Sequence, residues 1–260
     1  MMRRSERVTF ENKRGQRLSG ILEFPDKNPV AFGLFSHCFT CTKDLKAIVR
    51  ISRRLAELGI AILRFDFTGL GNSQGDFSET NFDTNCQDVV AAHDFLAQHH
   101  HAPQLLIGHS LGGAAMIQMA QQMESARALV TIASPSNTQH LADHLTQSNP
   151  AIWDQGQGEV TIGGQSYLLK KQLIENLRQQ DLPSALNQLT LPHLMFHPDA
   201  DDTLPYWHAE KMFELTGGPK SMITLDKSDH LLVDHPADTQ FVADLTRLWF
   251  ERYQVPVSQF

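Results

Sequence analysis

The segment with the clearest chemical signature is Gly108-His109-Ser110-Leu111-Gly112. The apolar run 105–107 precedes it, and residues 114–120 follow it with a composition typical of a helix. A strand, a sharp turn and a helix in this order are typical of a G-x-S-x-G nucleophile elbow, which projects the serine Oγ above the edge of a sheet. Small residues are needed beside the serine because a Cβ would crowd the strained turn. A glycine-bounded loop with a helix-capping serine is the alternative, but the flanking elements favour Ser110 as a nucleophile.

A serine hydroxyl is a weak nucleophile at neutral pH, so Ser110 needs a base and a group that orients the base. Two polar loops that follow strand-like segments contain candidates for these roles. They are Asp199, Asp201 and Asp202 in residues 197–205, and Asp229 and His230 in residues 226–231. Asp229 is excluded as the orienting acid of His230, because the acid must reach Nδ1 from another loop. The residue types alone leave the three carboxylates of the first loop open.

The elbow, the acidic loop and the late histidine together resemble the α/β-hydrolase superfamily, from about Val8 to about Tyr253. Members of this superfamily carry the nucleophile, the acid and the histidine in that chain order. They usually have a D-x-x-V-P segment after the seventh strand, and Asp201-Asp202-Thr203-Leu204-Pro205 is similar to it. The resemblance therefore implies Asp201 as the acid, with Asp199 and Asp202 as its rivals, and His230 as the base.

An oxyanion hole is the remaining part that this chemistry requires. It consists of the backbone N–H after the nucleophile and a second N–H from the loop after the third strand. The first donor is expected at Leu111. For the second donor we expect Phe39, with Cys38 as the next choice, in the loop after the apolar run 30–35. A cysteine stands at position 38, where relatives commonly have glycine.

With this cysteine, the chain resembles a particular bacterial subgroup of the superfamily. Members of this subgroup often occur fused to an OsmC-type peroxidase domain. The motifs that carry this resemblance are His37-Cys38-Phe39-Thr40-Cys41, Lys43-Asp44, Phe65-Asp66-Phe67-Thr68-Gly69-Leu70-Gly71-Asn72-Ser73, the elbow, and residues 225–232. The chain ends at Phe260, soon after the last predicted helix, so we expect no peroxidase domain within it. The resemblance leaves open a functional link to a separate OsmC-type peroxidase.

Composition limits the partners and the location. The formal charge of −7 argues against a nucleic-acid partner, since no Lys/Arg-rich block occurs beyond Arg3-Arg4. No apolar signal region opens the chain, and nowhere do 18 apolar residues run together. We therefore expect a cytoplasmic protein without a membrane partner. The serine chemistry that the resemblance implies adds a small acyl substrate and needs no metal or cofactor. Formation of a homodimer remains an alternative to a monomer.

The three cysteines do not make a disulfide framework, which agrees with a reducing compartment. Cys38 and Cys41 form a C-x-x-C pair whose oxidation would act on the neighbouring oxyanion loop, and Cys86 is expected in the core. Single histidines carry little information among thirteen. His109 is expected to be a packing residue, and His99-His100-His101 a solvated helix end rather than a metal site.

The elements that position these residues follow from periodicity. The segments 7–11 and 16–24 predict a hairpin, and residues 47–58 followed by 60–65 predict a βαβ unit after the strand near Val30. The βαβ unit implies a parallel sheet. The family resemblance implies an α/β-hydrolase fold, with a mostly parallel eight-stranded sheet and helices on both faces. We expect one domain over residues 1–260.

Between about 134 and 191 the alternation of strands and helices breaks, which predicts a small cap insertion. Residues 160–168 are typical of a hairpin and 170–180 of a helix. Trp153, Tyr167 and Leu168 are expected either to line the pocket or to fix the cap to the body of the protein. The expected function is hydrolysis of carboxylic esters or thioesters through Ser110, His230, Asp201 and an acyl-enzyme. The alternative is a non-catalytic ligand-binding protein or a redox-linked accessory protein that uses Cys38 and Cys41.

Overall fold

A sheet of eight strands forms the centre of the protein in a computed structural model, which describes residues 4–254. Arg3 of the short basic pair and the chain end at Phe260 lie outside the described residues. In the described part the strands are β1 (Arg4–Glu11), β2 (Arg17–Phe24), β3 (Ala31–Ser36), β4 (Ile60–Phe65), β5 (Leu105–His109), β6 (Ala128–Ile132), β7 (Gln157–Ile162), β8 (Gln165–Lys170), β9 (His193–Pro198) and β10 (Lys220–Leu225).

The order of the central strands is β1-β2-β4-β3-β5-β6-β9-β10. β1 and β2 form the predicted antiparallel hairpin, and β2 also runs antiparallel to β4. The pairings from β4 to β10 are parallel. Strands β3 to β6 and β9 are buried along their whole length, as expected of parallel strands that are covered on both faces. The prediction of a mostly parallel eight-stranded sheet is confirmed.

Helices cover both faces of this sheet. They are α1 (Lys46–Glu57), α2 (Phe82–His99), α3 (Leu111–Met119), α4 (Gln139–Ser148), α5 (Ala151–Asp154), α6 (Lys171–Gln179), α7 (Leu182–Gln188), α8 (Trp207–Leu215) and α9 (Pro236–Glu251). One face packs against α1 and α9 through Ile48, Leu55, Val242 and Phe250. The other face packs against α2, α3 and α8 in a larger apolar cluster.

The chain between β6 and β9 holds α4 to α7 and the separate hairpin of β7 and β8. Gly163 and Gly164 form the hairpin turn with φ of 58° and 80°, a left-handed conformation that favours glycine. Leu145, Leu173 and Leu177 are buried in the same apolar cluster as α2 and α3. This segment therefore packs directly on the body of the protein. Within the described residues, no helix is long and apolar enough to cross a membrane.

Three buried histidines couple the stability of this fold to pH. His37 follows β3, His109 ends β5 and His193 begins β9, where it bonds to the hydroxyls of Thr131 and Thr216. Burial lowers the pKa of His37 to about 4 and the pKa of His109 and of His193 to about 3, from 6.5. The folded protein therefore holds all three in the neutral form at pH 7.

We predict that acidification unfolds the protein, because only the unfolded chain takes up these protons below pH 6.5. Each histidine should remove about 1.4 kcal/mol of unfolding free energy per pH unit between pH 6.5 and its own folded pKa. Urea unfolding at pH 7.5, 6.0, 5.5 and 5.0 measures this slope. His193→Gln should make the slope shallower by about one histidine's share, and the exposed His101→Gln should leave it unchanged. A stability that does not vary from pH 7.5 to 5.0 contradicts the assignment.

Candidate active site

Ser110 occupies a strained turn between β5 and α3. Its φ is 52° and its ψ is −124°, a conformation that L-residues rarely adopt. The Ser110 N–H donates to the carbonyl of Ile132 on the neighbouring strand at 2.9 Å. A Cβ on Gly108 would lie 2.4 Å from the Cα of Gly113, so only glycine allows the strand and helix to approach this closely. The serine Oγ makes no capping bond to α3.

A hydrogen-bonded chain connects Ser110 to two residues from other loops. The Ser110 Oγ lies 3.1 Å from the Nε2 of His230, and the Nδ1 of His230 lies 2.7 Å from the Oδ2 of Asp201. His230 lies in the loop after β10, and Asp201 lies in the loop after β9. The structure therefore brings together the three residues that the sequence indicates, although they are far apart in the chain.

Asp201 is held in position by backbone donors. Its Oδ1 accepts from the N–H of Thr203 at 2.9 Å and from the N–H of Leu204 at 2.7 Å. Burial alone would raise the pKa of Asp201, but the hydrogen bond and charge of His230 and the two N–H groups outweigh it, and the pKa is lowered. Asp201 is therefore an ionised carboxylate that faces the Nδ1 of His230.

The neighbouring carboxylates of Asp199, Asp202 and Asp229 have other hydrogen-bond partners than Asp201. Asp199 accepts from the N–H of Lys227 at 2.8 Å and so connects the loops after β9 and β10. Asp202 is exposed and bonds to the hydroxyl of Thr203. Asp229 accepts from three N–H groups of its own loop, those of Leu231, Val233 and Asp234. Asp201 is the carboxylate of this group that bonds to His230.

The loop after β3 lies directly against the N-terminus of α3. The Ser36 hydroxyl donates to the carbonyl of Gly112 at 2.8 Å, and a Cβ on Gly112 would lie 2.3 Å from the carbonyl oxygen of His37. Within residues 4–254, the N–H groups of Phe39 and Leu111 have no backbone or side-chain acceptor. Both residues line the same cavity as Ser110. Two unpaired donors are what an oxyanion hole requires.

His37 fixes the peptide that precedes Phe39. Its Nε2 accepts from the N–H of Phe67 at 3.1 Å, so its Nδ1 carries the hydrogen and donates to the Cys38 carbonyl at 2.8 Å. The N–H of Cys41 also donates to this carbonyl at 3.3 Å. Because the Cys38 carbonyl is held by two donors, the orientation of the Phe39 N–H in the same peptide plane is fixed as well.

Cys38 and Cys41 are joined in a disulfide. The C-x-x-C spacing indicated a pair that could be oxidised, although three cysteines do not make a disulfide framework. A tight turn brings the two Cα atoms to 5.3 Å, inside the range that a disulfide spans. Thr40, inside this turn, has a φ of 56°. Cys38 is buried and Cys41 is half-buried. Cys86 is a free, buried cysteine of α2, which confirms its place in the core.

A buried ion pair stabilises the same loop, which follows β3. Lys43 Nζ lies 2.8 Å from the Oδ2 of Asp66, and the side chains of both residues are at most 4% exposed. Asp66 also accepts from the N–H of Lys43 and the N–H of Asn72. A Cβ on Gly71 would lie 2.3 Å from this carboxylate, so glycine is needed there. The two motifs at 37–44 and 65–73 therefore form one network. Lys43 and Asp66 lie in the motifs that carry the subgroup resemblance, but the sequence alone indicated no role for either residue.

A cavity of about 460 Å³ opens beside Ser110 and His230. Most of its side chains are apolar, and the apolar ones from α4 and the β7–β8 hairpin are Leu141, Leu145, Ile162 and Tyr167. The three cap residues expected to line the pocket or to fix the cap, Trp153, Tyr167 and Leu168, lie in different places. Tyr167 lines the cavity, Trp153 packs between Lys171 and Arg178, and Leu168 is 39% exposed outside it. In the described part of the chain, no group of three or more His, Cys, Asp or Glu side chains is arranged to hold a metal ion.

Comparisons with known proteins place the chain in a family. Residues 42–153 match the family described as serine aminopeptidase, S33. The chain is 26% identical over 192 residues to the mitochondrial palmitoyl-protein thioesterase ABHD10 of Rattus norvegicus, which is 71% of this chain and 64% of that protein.

Two solved structures extend the likeness over nearly the whole chain. The esterase domain of a Rhodothermus marinus protein is 38% identical, with a TM-score of 0.78 over 98% of this chain and 100% of that chain. Est1E of Butyrivibrio proteoclasticus, solved with ferulic acid, is 20% identical, with a TM-score of 0.80 over 95% and 98% of the two chains. These likenesses confirm the predicted fold, and the chain belongs to the α/β-hydrolase superfamily as a hydrolase of the esterase and thioesterase type.

Proposed function

We propose that this protein is a serine hydrolase that cleaves carboxylic esters or thioesters with small to medium acyl groups. The observation that carries the proposal is the hydrogen-bonded chain from Ser110 through His230 to the ionised Asp201, which opens on a largely apolar cavity. A nucleophile, a base and an orienting carboxylate in this arrangement perform acyl transfer in many proteins with unrelated folds.

The first half of the proposed reaction forms an acyl-enzyme. The Ser110 Oγ attacks the carbonyl carbon of the substrate while the Nε2 of His230 accepts the hydroxyl proton. Asp201 keeps the proton of Nδ1 in place and stabilises the imidazolium that forms. His230 then donates its proton to the departing alcohol or thiol. Water, activated by the same Nε2, releases the acid and restores the Ser110 hydroxyl.

The negative charge that develops on the substrate oxygen needs fixed donors. We assign this role to the N–H groups of Leu111 and Phe39, because neither has an acceptor among the described residues and both residues line the same cavity as Ser110. Leu111 begins α3, so the positive end of the helix dipole adds to its N–H. Phe39 owes its orientation to the two hydrogen bonds on the Cys38 carbonyl.

A non-catalytic ligand-binding protein is the alternative from another functional class. It would be favoured if Asp201 did not bond to His230 or if the cap sealed Ser110 from ligands. Asp201 does bond to His230, and Ser110 lines an open cavity under the segment of α4 and the β7–β8 hairpin. This segment, within the proposed cap at about 134–191, would then select the substrate.

Removal of any one of the three residues should abolish most activity. We expect Ser110→Ala, His230→Ala and Asp201→Asn to lower kcat/KM on p-nitrophenyl esters by on the order of 10⁴-fold or more. Stoichiometric labelling by a fluorophosphonate probe, with peptide mapping, should mark Ser110 in the wild type and be lost in the Ser110 and His230 variants. Asp202→Asn is the matched control, because it lies in the same loop and is exposed, and it should stay within about twofold of the wild type. A folded wild type without labelling would favour the binding protein.

The apolar cavity should select substrates by acyl length. On p-nitrophenyl esters from acetate to dodecanoate, kcat/KM should rise by up to about fourfold per methylene while the chain is buried, and then fall when the cavity is full. Leu141→Trp should shorten the preferred chain, because this side chain lines the cavity. Leu168→Trp, on the exposed side of the β7–β8 hairpin, should leave the preference unchanged. Equal rates for all chain lengths would contradict this view of the cavity.

The Cys38–Cys41 disulfide is the observation that favours the redox-linked alternative. Reduction by a dithiol would convert the disulfide into two thiols while the dithiol is oxidised to its own disulfide. The cytoplasmic location that we propose would keep Cys38 and Cys41 in exchange with such dithiols. An accessory protein of this kind needs Cys38 and Cys41 more than it needs Ser110.

Separate substitution of the two sets distinguishes the alternatives. If the protein is a serine hydrolase, Cys38→Ser with Cys41→Ser should lower kcat by about tenfold, less than the 10²- to 10³-fold that removal of a complete oxyanion donor costs. KM should change little, and dithiothreitol should give the wild type the same loss. Cys86→Ala is the control, since this cysteine is buried in α2 away from the site. An ester hydrolysis rate that is lost in the cysteine variant but kept in Ser110→Ala would reverse our assignment.

We further propose that the chain belongs to the subgroup that often occurs fused to an OsmC-type peroxidase domain, and that it is functionally linked to such a peroxidase. The support is that the subgroup motifs meet in one network through His37 and Phe67 and through Lys43 and Asp66. Apart from this peroxidase, we propose a small acyl substrate as the binding partner, and neither nucleic acid nor a membrane. Formation of a homodimer is an alternative to a monomer.

A further inference from the structure

His109 directly precedes Ser110 and is 3% exposed at the end of β5. Its Nε2 lies 2.8 Å from the main-chain carbonyl oxygen of His230, and the two imidazole rings are 5.2 Å apart. Its Nδ1 is buried and has no partner among the described residues. The side chain therefore makes one hydrogen bond, and that bond is to the residue whose ring contacts Ser110.

The charge and tautomer of His109 follow from these contacts. Burial, followed by the charge of His230, lowers the pKa of His109 to about 3, so the ring is neutral at pH 7. A carbonyl oxygen can only accept, so Nε2 must carry the hydrogen and donate it. The bond keeps this direction when His230 gains and loses its own proton.

The loop that carries His230 depends on such bonds, because it lies between β10 and α9 without regular structure. The Asp229 carboxylate holds the part after His230 through the N–H groups of Leu231, Val233 and Asp234. Leu232, within this part, has a φ of 53°. Among the described residues, the donor to the His230 carbonyl itself is His109.

We propose that His109 is a positioning residue for the general base: its Nε2–H holds the His230 main chain at a set distance from the strand that carries Ser110. The inference rests on the proposed function, in which the ring of His230 must reach the Ser110 Oγ and the Asp201 carboxylate at the same time. The position before the nucleophile is suited to this role, since His109 and Ser110 share one strand end. A displacement of about 1 Å in such a site costs on the order of 10²-fold in rate.

Three substitutions of His109 separate positioning from packing. His109→Phe keeps a ring of similar size and removes the donor. His109→Gln places an amide N–H where the histidine Nε2 is, because the two atoms are the same number of bonds from Cβ. His109→Asn has the same amide group, but its nitrogen reaches only the position of Nδ1.

We expect the Phe and Asn variants to lose about 10- to 100-fold in kcat on p-nitrophenyl butyrate while KM changes less than threefold. The Gln variant should recover most of kcat. Fluorophosphonate labelling rates at Ser110 should follow the same order. Thermal unfolding of all variants gives the control, because a packing role would make kcat follow the melting temperature instead of the reach of the donor.

The outcomes also separate this inference from the proposed function. If His230→Ala is inactive but His109→Phe keeps the wild-type kcat, the positioning role is overturned and the catalytic assignment stands. If Gln and Asn variants of equal stability lose the same activity, the positioning role is overturned too. If His230→Ala remains active, the proposed function itself fails. If the Phe variant does not fold, the kcat values of the Gln and Asn variants still test the positioning role.

Discussion

The close approach of the N-terminus of α3 to the ends of β3 and β5 is the constraint on which the rest of the site depends. It requires Gly108, where a Cβ would meet the backbone of Gly113, and Gly112, where a Cβ would meet the carbonyl of His37. It also places Ser110 at a φ of 52°. The cost of this strained turn is met by burial on both sides, since β5 and the first turns of α3 are fully enclosed. Because helix and strand cannot move apart independently, Ser110 and the N–H of Leu111 at the start of α3 keep one geometry.

Few charges are buried around this turn, and each has a partner. Asp201 is ionised against His230 and two backbone N–H groups, and Asp66 is paired with Lys43. Two buried rings near this turn, His37 and His109, are neutral and act as hydrogen-bonding groups with a defined direction. In a low dielectric this arrangement avoids unpaired charge while it keeps one carboxylate able to stabilise an imidazolium. The same burial that shapes the site therefore makes the fold sensitive to acid.

The parts of this architecture that depend on local pattern were predictable, and those that depend on side-chain reach between loops were not. Buried runs such as residues 105–107, bounded by glycine, indicated the sheet and the elbow, and chain order with family resemblance indicated Asp201 and His230. The sequence could not show that Asp199 bonds to Lys227 or that Asp229 organises its own loop, because such contacts depend on how two loops meet. His109 was expected to be a packing residue for the same reason: its acceptor is 121 positions away in the chain. The C-x-x-C spacing indicated that Cys38 and Cys41 could be oxidised, but whether they are bonded depends on the turn at Thr40, which a cysteine count does not describe.

The loops of the site are joined to one another mostly by side chains that capture backbone groups of a neighbouring loop. Ser36 bonds to Gly112, His37 to Phe67 and His109 to His230, and Asp199 bonds to Lys227. A network of this kind fixes the main chain of the reacting residues without contact with the substrate. The apolar wall from α4 and the β7–β8 hairpin belongs to a different part of the chain, between β6 and β9. In the function that we propose, substrate choice can therefore change through this wall while the positions of Ser110, His230 and Asp201 are kept, so that one fold can serve many acyl substrates.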